Sequence, residues 1–384
     1  MIDIVPAKSC IGCHACESIC GPSAIQMRLN DEGFLYPHVD KEMCTQCEEC
    51  LSVCPALNEV KFERLPAPDV FAAWSKSDEI IKASSSGGIF SELAFKALDD
   101  DGVVFGAAFD TNLNLLHCEI DKRDDLPSLR GSKYLQSNMA GVFQKVQCRL
   151  ENGQNVLFVG TPCQVAGLNS FLGHDYTNLL TCELICHGVA SPGVYARYIK
   201  ELQDKHKARI IKFQFRAKPQ GWKNYFFDIT FDNATCLSMP FSQNPYMKGF
   251  LADIYLRPSC YACKYSRLPR VADITLGDFW GIWNHKPAWD DDRGTSAILV
   301  NSVKARQFFT QCNLILKPAE LGWVIEGNPA LTSSAKPHKK RKKFFTLFNT
   351  GKNFEEIINI CLPPTSYFDK VLWSINRRLK RLTQ

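Results

Sequence analysis

Eight of the chain's eighteen cysteines fall within the first 54 residues, in two matching runs. The first run holds Cys10, Cys13, Cys16 and Cys20, and the second holds Cys44, Cys47, Cys50 and Cys54. Both follow C-x2-C-x2-C-x3-C, a spacing that suits a pair of 4Fe-4S clusters. Three thiolates on one tight loop reach three irons of a cube, and the fourth iron is held from the other run. On that rule Cys10, Cys13, Cys16 and Cys54 form one ligand set, and Cys44, Cys47, Cys50 and Cys20 form the other. Gly21 follows Cys20 where proline is usual, while Pro55 follows Cys54 as expected. A disulfide framework would need an oxidising compartment, and the opening residues Met1 to Pro6 lack the basic start and apolar core of a secretory leader. Zinc prefers pairs of cysteines at longer separations. The cysteines therefore predict metal and redox use in a reducing cytoplasm.

Further chemistry-bearing residues lie in the middle of the chain. Ser84, Ser85, Ser86, Gly87 and Gly88 precede an apolar pattern at helical spacing. Small hydroxyl residues at a helix start leave backbone N–H groups to meet an anion, such as the phosphates of a nucleotide or flavin. An ordinary N-cap by Ser84 or Ser85 is the competing reading. The stretch from Arg130 to Ser137 includes Gly131, Ser132, Lys133, Tyr134 and Gln136. Its lysine can neutralise a phosphate or a reduced flavin, and its tyrosine can stack on an isoalloxazine, although a solvated turn explains the same residues. Gly160, Thr161, Pro162, Cys163 and Gln164 end a strand and begin a helix, a ligand-binding position in open α/β sheets. Cys163 there suits a nucleophile, a cluster ligand or a small buried residue. Cys182, Cys186 and the Cys260-x-x-Cys263 pair suit zinc, redox chemistry or a further 4Fe-4S cluster. Cys118, Cys148, Cys236, Cys312 and Cys361 read as structural.

The elements that must position these residues follow from periodicity. Residues 1–60 form a two-cluster ferredoxin-like module, and Pro66-Ala67-Pro68 reads as a linker. Val70–Trp74, Val103–Phe109, Val156–Gly160 and Leu179–Ile185 are continuous apolar runs of the kind found in buried strands. Ile89 to Leu98 carries helical spacing between the first two. Ile211–Phe215 and Tyr225–Phe231 alternate as antiparallel strands with one wet face. The expected fold class is α+β or α/β: the ferredoxin-like module, a mixed-sheet body over residues 68–330, and a basic helical tail over 331–384. The chain is 384 residues long, enough for two or three domains. It has no apolar run of the ~20 residues a spanning helix needs. Its net charge of +5 is uneven, because residues 331–384 hold twelve Lys or Arg against three Asp or Glu, leaving the remainder at −4. A mildly acidic body predicts no nucleic-acid partner. The basic run from Lys336 to Phe345 and the amphipathic segment Val371 to Leu382 suit either an anionic membrane surface or an acidic protein.

Taken in order, Ser85-Ser86-Gly87-Gly88, Gly131-Ser132-Lys133-Tyr134, Gly160-Thr161-Pro162-Cys163-Gln164, Cys186-His187-Gly188-Val189, Cys260-x-x-Cys263 and the stretch from Asp273 to Gly281 resemble the coenzyme F420 hydrogenase/dehydrogenase beta-subunit family. The resemblance covers about residues 1 to 300. It implies FAD lined by the Ser-Gly-Gly, Gly-Ser-Lys-Tyr and Gly-Thr-Pro stretches. It also implies a third 4Fe-4S cluster held by Cys163, Cys186, Cys260 and Cys263, with Cys182 in reserve. Electrons would pass between a redox partner protein, ferredoxin or reductase, and a two-electron carrier: coenzyme F420, another small molecule or a protein disulfide. Lys133 would stabilise reduced flavin and His187 would supply protons. The tail resembles those of relatives associated with surface-polysaccharide synthesis, which implies a peripheral position at the inner face of the membrane. A pure electron carrier and a pathway adaptor without redox activity are the alternatives.

Overall fold

The computed structural model describes residues 4–60 and 63–363. Thirteen strands form three sheets among these residues. The first is a hairpin of β1 (Ile25–Leu29) and β2 (Leu35–Val39) in the N-terminal module. The body is built on β3 (Asp69–Ser75), β4 (Val103–Phe109), β5 (Leu115–Ile120), β6 (Val156–Gly160) and β7 (Leu179–Leu184). A small antiparallel sheet follows: β8 (Ile210–Ala217), β9 (Phe226–Phe231) and β10 (Cys236–Pro240). The chain then returns to the body with β11 (Ile274–Asp278), β12 (Ser296–Val300) and β13 (Leu314–Pro318).

The body sheet has the order β13-β3-β12-β11-β7-β6-β4-β5. Its centre, β4, β6, β7 and β11, is parallel, and both flanks are antiparallel. The continuous apolar runs have a direct cause here, because both faces of the central strands are covered. Val104, Leu157 and Val159 pack with Ile89, Leu93 and Ala97 of the helix Ile89–Asp99. Val103, Phe105 and Phe158 pack on the other side with Phe143, Val165 and Leu168, from the helices Val142–Glu151 and Pro162–Leu172. The small sheet alternates as its sequence predicts: Phe227, Ile229 and Phe231 are buried, and the residues between them are only partly so.

Residues 341–361, part of the expected basic tail, form two helices, Arg341–Phe348 and Phe354–Cys361, that belong to the body. Phe344, Phe345, Phe348, Phe354 and Ile357 are buried in the same aromatic cluster as Tyr246 and Tyr255. Phe344 and Phe345, the apolar end of the basic run, are thus spent on protein packing, while Lys342 and Lys343 are exposed. The amphipathic segment Val371 to Leu382 lies outside the described residues. No helix among the described residues is long and apolar enough to cross a membrane.

The N-terminal module is bolted to the body at several places. Gly33 approaches Gly193 so closely that a Cβ on either would stand 2.6–2.7 Å from the other's Cα, and the Gly193 N–H donates to the Gly33 carbonyl at 3.0 Å. The Ser191 hydroxyl donates to the Glu32 carbonyl at 2.6 Å, and Arg341 forms a two-pronged ion pair with the Glu32 carboxylate at 2.5–2.6 Å. Ser170 Oγ donates to the Val53 carbonyl at 2.8 Å.

Candidate iron-sulfur and flavin site

The two cysteine runs fold alike. In the first, Gly12 and His14, on either side of Cys13, have φ of 66° and 67°. In the second, Gln46 and Glu48, on either side of Cys47, have φ of 59° and 63°. A short helix follows each, Ala15–Ile19 and Glu49–Ser52. Residues alternating into the left-handed region turn successive backbone N–H groups toward one concavity, the anion-holding arrangement common around iron–sulfur clusters. Only Gly12 adopts that φ without strain, and its missing Cβ also makes room for Arg257 and Gln136, which a side chain would meet at 2.6–2.8 Å.

Cys10, Cys13, Cys16 and Cys54 ring one cavity, and Cys20, Cys44, Cys47 and Cys50 ring a second. The electrostatics of the first ring need a cation. Burial, then the neighbouring charges of Cys10 and Cys54, push the Cys16 thiol up to about 12, and burial, then the charges of Cys16, Cys10 and Cys54, raise Cys13 well above an ordinary thiol. Four thiolates crowded this way ionise together only around positive metal. Four thiols ringing one cavity suit the four irons of a cube.

A third cavity is lined by Cys163, Cys186, Cys260 and Cys263. Three elements deliver them. Cys163 sits in the first turn of the helix Pro162–Leu172, Cys186 follows the end of β7, and Cys260 and Cys263 lie on the turn after Arg257. Burial, then the charges of Cys163, Cys260 and Cys263, raise Cys186 well above an ordinary thiol; Cys260 is pushed up to about 12 and Cys163 to about 11. The Thr161 hydroxyl lies 3.1 Å from Cys163 Sγ, and the Val189 N–H donates to Cys260 Sγ at 3.5 Å. Cys182 is fully buried in the apolar layer on β7, with Leu157, Val159 and Ile274. Burial raises its thiol well above the usual range, and the charges of Glu183 and Asp273 add to that.

The first and third rings share a wall. Ser9, Ile11 and Ala56 of the N-terminal module line the third cavity alongside Arg257. The helix that carries Cys163 places Gly167 one turn later against Cys13, where a Cβ would stand 2.7 Å from Cys13 Cβ and 3.0 Å from its sulfur. Arg257 is fully buried at this junction. It donates to the Cys10 carbonyl at 2.7 Å, to Gln136 Oε1 at 2.9 Å, to the Leu35 carbonyl at 3.0 Å and to Cys10 Sγ at 3.4 Å. Sequence reasoning missed Arg257. Its position three residues before Cys260 is the only local signal.

The expected flavin stretches divide. Ser85 Oγ accepts the Ser132 N–H at 2.8 Å, so the serine–glycine turn and the Gly-Ser-Lys-Tyr stretch meet. Ser86 Oγ donates to the Thr295 carbonyl, and the Gly87 N–H donates to Ser296 Oγ at 3.0 Å. Gly87 is required by contact, since a Cβ would fall 2.4 Å from the Ala73 carbonyl. Gly88, at φ 88°, starts the helix Ile89–Asp99. This arrangement fits an anionic cofactor group held where hydroxyls and a helix start converge. The two glutamines are engaged inside the protein. Gln164 closes a capping box with Thr161 and donates to Ser137 Oγ, and Gln136 donates to the carbonyls of Ile11 and Gly12. Gly160 and Pro162 flank that cap, and Pro162 also lines the third cavity.

Lys133 donates to the carbonyls of Leu129 and Arg130 at 2.8 and 2.9 Å, and burial lowers its pKa to about 7. His187 stands at the exposed edge of the third cavity, 2.6 Å from the Asp253 carboxylate. The two expected catalytic residues therefore occupy different surroundings. The structure adds two cations at the end of β8, Arg216 on the strand and Lys218 just past it, the latter beside Ser86. Lys218 donates to the carbonyls of Ile81 and Arg293 at 2.8 and 2.7 Å. Arg216 is buried against Tyr134, Tyr225, Trp280 and Asp278. Neither has a motif around it.

Residues 9–58 match a 4Fe-4S dicluster domain. Residues 70–144 match the N-terminal part, and 153–315 the C-terminal part, of the coenzyme F420 hydrogenase/dehydrogenase beta subunit. Those two regions together cover more than half of the chain. Among solved structures, a chain of the F420-reducing NiFe hydrogenase complex from Methanosarcina barkeri is similar at 17% identity, with 77% of this chain and 94% of that chain covered and a TM-score of 0.46. No curated protein matches. The chain is an iron–sulfur electron-transfer protein of the coenzyme F420 hydrogenase/dehydrogenase beta-subunit family, with a 4Fe-4S dicluster domain at its N-terminal end.

Proposed function

We propose that the chain is an iron–sulfur flavoprotein oxidoreductase that exchanges single electrons with a partner protein and electron pairs with a small two-electron carrier such as coenzyme F420. The ring of Cys163, Cys186, Cys260 and Cys263, sharing a wall with the Cys10, Cys13, Cys16 and Cys54 ring, is the observation that carries this reading. Three 4Fe-4S clusters would supply one-electron steps, and FAD would convert between one- and two-electron chemistry.

The chain's own residues set the order. Cys47 is exposed, so the ring of Cys20, Cys44, Cys47 and Cys50 faces the outside. The Cys10 ring adjoins both of the others: Cys16 feels the charge of Cys50, and Ile11 and Ala56 line the first and third cavities alike. Residues 1–60 act as the inlet and residues 68–330 as the flavin domain. Ser85, Ser86, Gly87, Ser132 and Tyr134 line the flavin in this reading. Lys133 changes charge near neutral pH beside it, and His187, paired with Asp253, serves proton transfer at the rim of the third cavity. Exposed Lys336, Lys339, Lys342 and Lys343 offer the only basic surface of the described tail that could meet an anionic membrane or protein.

Anaerobically purified full-length protein is expected to hold one FAD and about 12 irons, the sum for three cubes. Cys263→Ser is expected to lose about 4 of these while the N-terminal clusters stay. A reconstituted protein that is flavin-free and colourless refutes the reading. Titrating the reduced protein with coenzyme F420, nicotinamide nucleotides and a thioredoxin-like disulfide, while following flavin absorbance, identifies the acceptor. Oxidation by the disulfide alone favours a reductase serving a protein partner.

A further inference from the structure

Arg216 presents an unused pair of donors. Its side chain is 4% exposed, and its Nε and Nη2 have no hydrogen-bond partner among the described residues. Nη1 is engaged with the Asp278 carboxylate. The guanidinium lies over the Tyr225 ring at 4.6 Å and within 5.5 Å of the Trp280 ring, so its flat faces are covered. What remains is one edge. Nε–H and Nη2–H point the same way along that edge and form the fork that matches two oxygens of a phosphate or carboxylate. Buried donors are otherwise almost always paired.

The surroundings hold this edge in place. Asp278 also accepts the Trp222 indole N–H at 3.2 Å, and Trp222 stacks on Trp280 at 4.6 Å with the rings 5° from parallel. Lys218, just past the end of β8, adds a second cation and ties the Ser86 carbonyl at 3.4 Å. The Tyr134 hydroxyl interacts with the same guanidinium. Three separate stretches therefore converge: the serine–glycine turn, the Gly-Ser-Lys-Tyr stretch, and the motif from Asp273 to Gly281 that the cluster chemistry leaves unassigned.

We propose that Arg216 is the centre of an oxyanion subsite, whose Nε–Nη2 edge takes a phosphate or carboxylate of the bound flavin or of the two-electron carrier. Asp278 is a positioning residue that takes Nη1 and turns the fork toward the ligand. The proposal rests on the flavoprotein reading for its ligand, and the charge-matched Arg216→Lys and neutral Arg216→Gln variants test it. Full-length, cluster-reconstituted protein is titrated with FAD, riboflavin, coenzyme F420, the F420 deazaflavin ring lacking its anionic side chain, and inorganic pyrophosphate.

For a flavin phosphate, both variants weaken FAD at least tenfold and leave riboflavin unchanged. For an anionic group on the carrier, FAD is unchanged, coenzyme F420 weakens at least tenfold, and the bare deazaflavin ring is unaffected. Equal affinity of wild type and both variants for FAD and F420 overturns the proposal. If wild type binds no flavin at all, the flavoprotein reading fails. Pyrophosphate then decides the subsite: binding to wild type that Arg216→Gln abolishes supports it, and binding to neither overturns it. Unchanged thermal melting of Arg216→Lys separates these outcomes from misfolding.

Discussion

Replacing Arg257 with methionine keeps most of the side-chain volume at the junction of the first and third thiol rings and removes every donor. Three buried oxygens lose their partner: the Cys10 and Leu35 carbonyls and Gln136 Oε1. Each unpaired buried acceptor costs about 1–3 kcal/mol, and rotation of Gln136 recovers part, so the expected destabilisation is about 4 kcal/mol. The second effect is electrostatic. Nη2 stands 3.4 Å from Cys10 Sγ. A unit charge about 6 Å from a cluster's centre, at an effective dielectric constant of ~20, is worth roughly 3 kcal/mol. For one electron that is on the order of 100 mV. Reduction adds negative charge, so losing the cation must lower the potential of the Cys10 cluster. Redox titration followed by electron paramagnetic resonance reads this directly, with the Cys44 cluster as the internal reference. Gln136→Leu is the control, because it removes an anchor of the same loop and keeps the charge. An Arg257→Met protein whose two N-terminal clusters keep wild-type potentials would refute the reasoning, even if it melts early.

Three further outcomes follow from the same structure. Gly167→Val places side-chain atoms inside the 2.7 Å gap to Cys13 Cβ, so the module should be pushed off the helix and about 4 irons lost, read as the iron-to-protein ratio. Burial lowers Lys133 to about 7, so between about pH 7 and its ordinary value of 10.5 the unfolded chain binds a proton that the folded chain does not. Stability then rises with pH across that window, and the penalty is full below pH 7. Lys133→Met should therefore gain most over wild type at pH 7 and nothing near pH 10.5, measured by urea unfolding. Phe344→Ala, at a fully buried site among Tyr255, Phe348 and Phe354, should cost about 3–5 kcal/mol by denaturant midpoint, whereas Lys342→Ala on the exposed face should change little.

What the sequence revealed was local. The cysteine runs were legible because three of each set's four ligands lie within a few residues and the backbone there repeats, with Gly12 and His14 matched by Gln46 and Glu48. The central strands were legible because parallel strands covered on both faces have to be apolar throughout. The remainder depends on long-range pairing. Gln136 reads as a flavin contact from its neighbours, yet its amide meets Ile11 across 125 residues, and Arg257 reaches Cys10 across 247. The sheet order was equally hidden, since β3 lies between β12 and β13, which follow it by more than 200 residues. The helices Arg341–Phe348 and Phe354–Cys361 were masked by charge: a run of lysines dominates the composition, and the buried apolar residues mark only about two turns each.

The rigid fastening of the N-terminal module also fixes the kinetics expected of the protein. Among the described residues, Gly33 against Gly193, Arg341 on Glu32 and Arg257 on Cys10 hold the module to the body against swinging out to fetch an electron and return. Only the first transfer, at the outward Cys47 edge, is then a collision, so turnover should rise linearly with donor concentration and level off at a rate set by internal transfer. That edge carries exposed Glu42, Glu48 and Glu49. A donor with a basic rim would be drawn to it, and added salt would slow the collision while leaving the plateau unchanged.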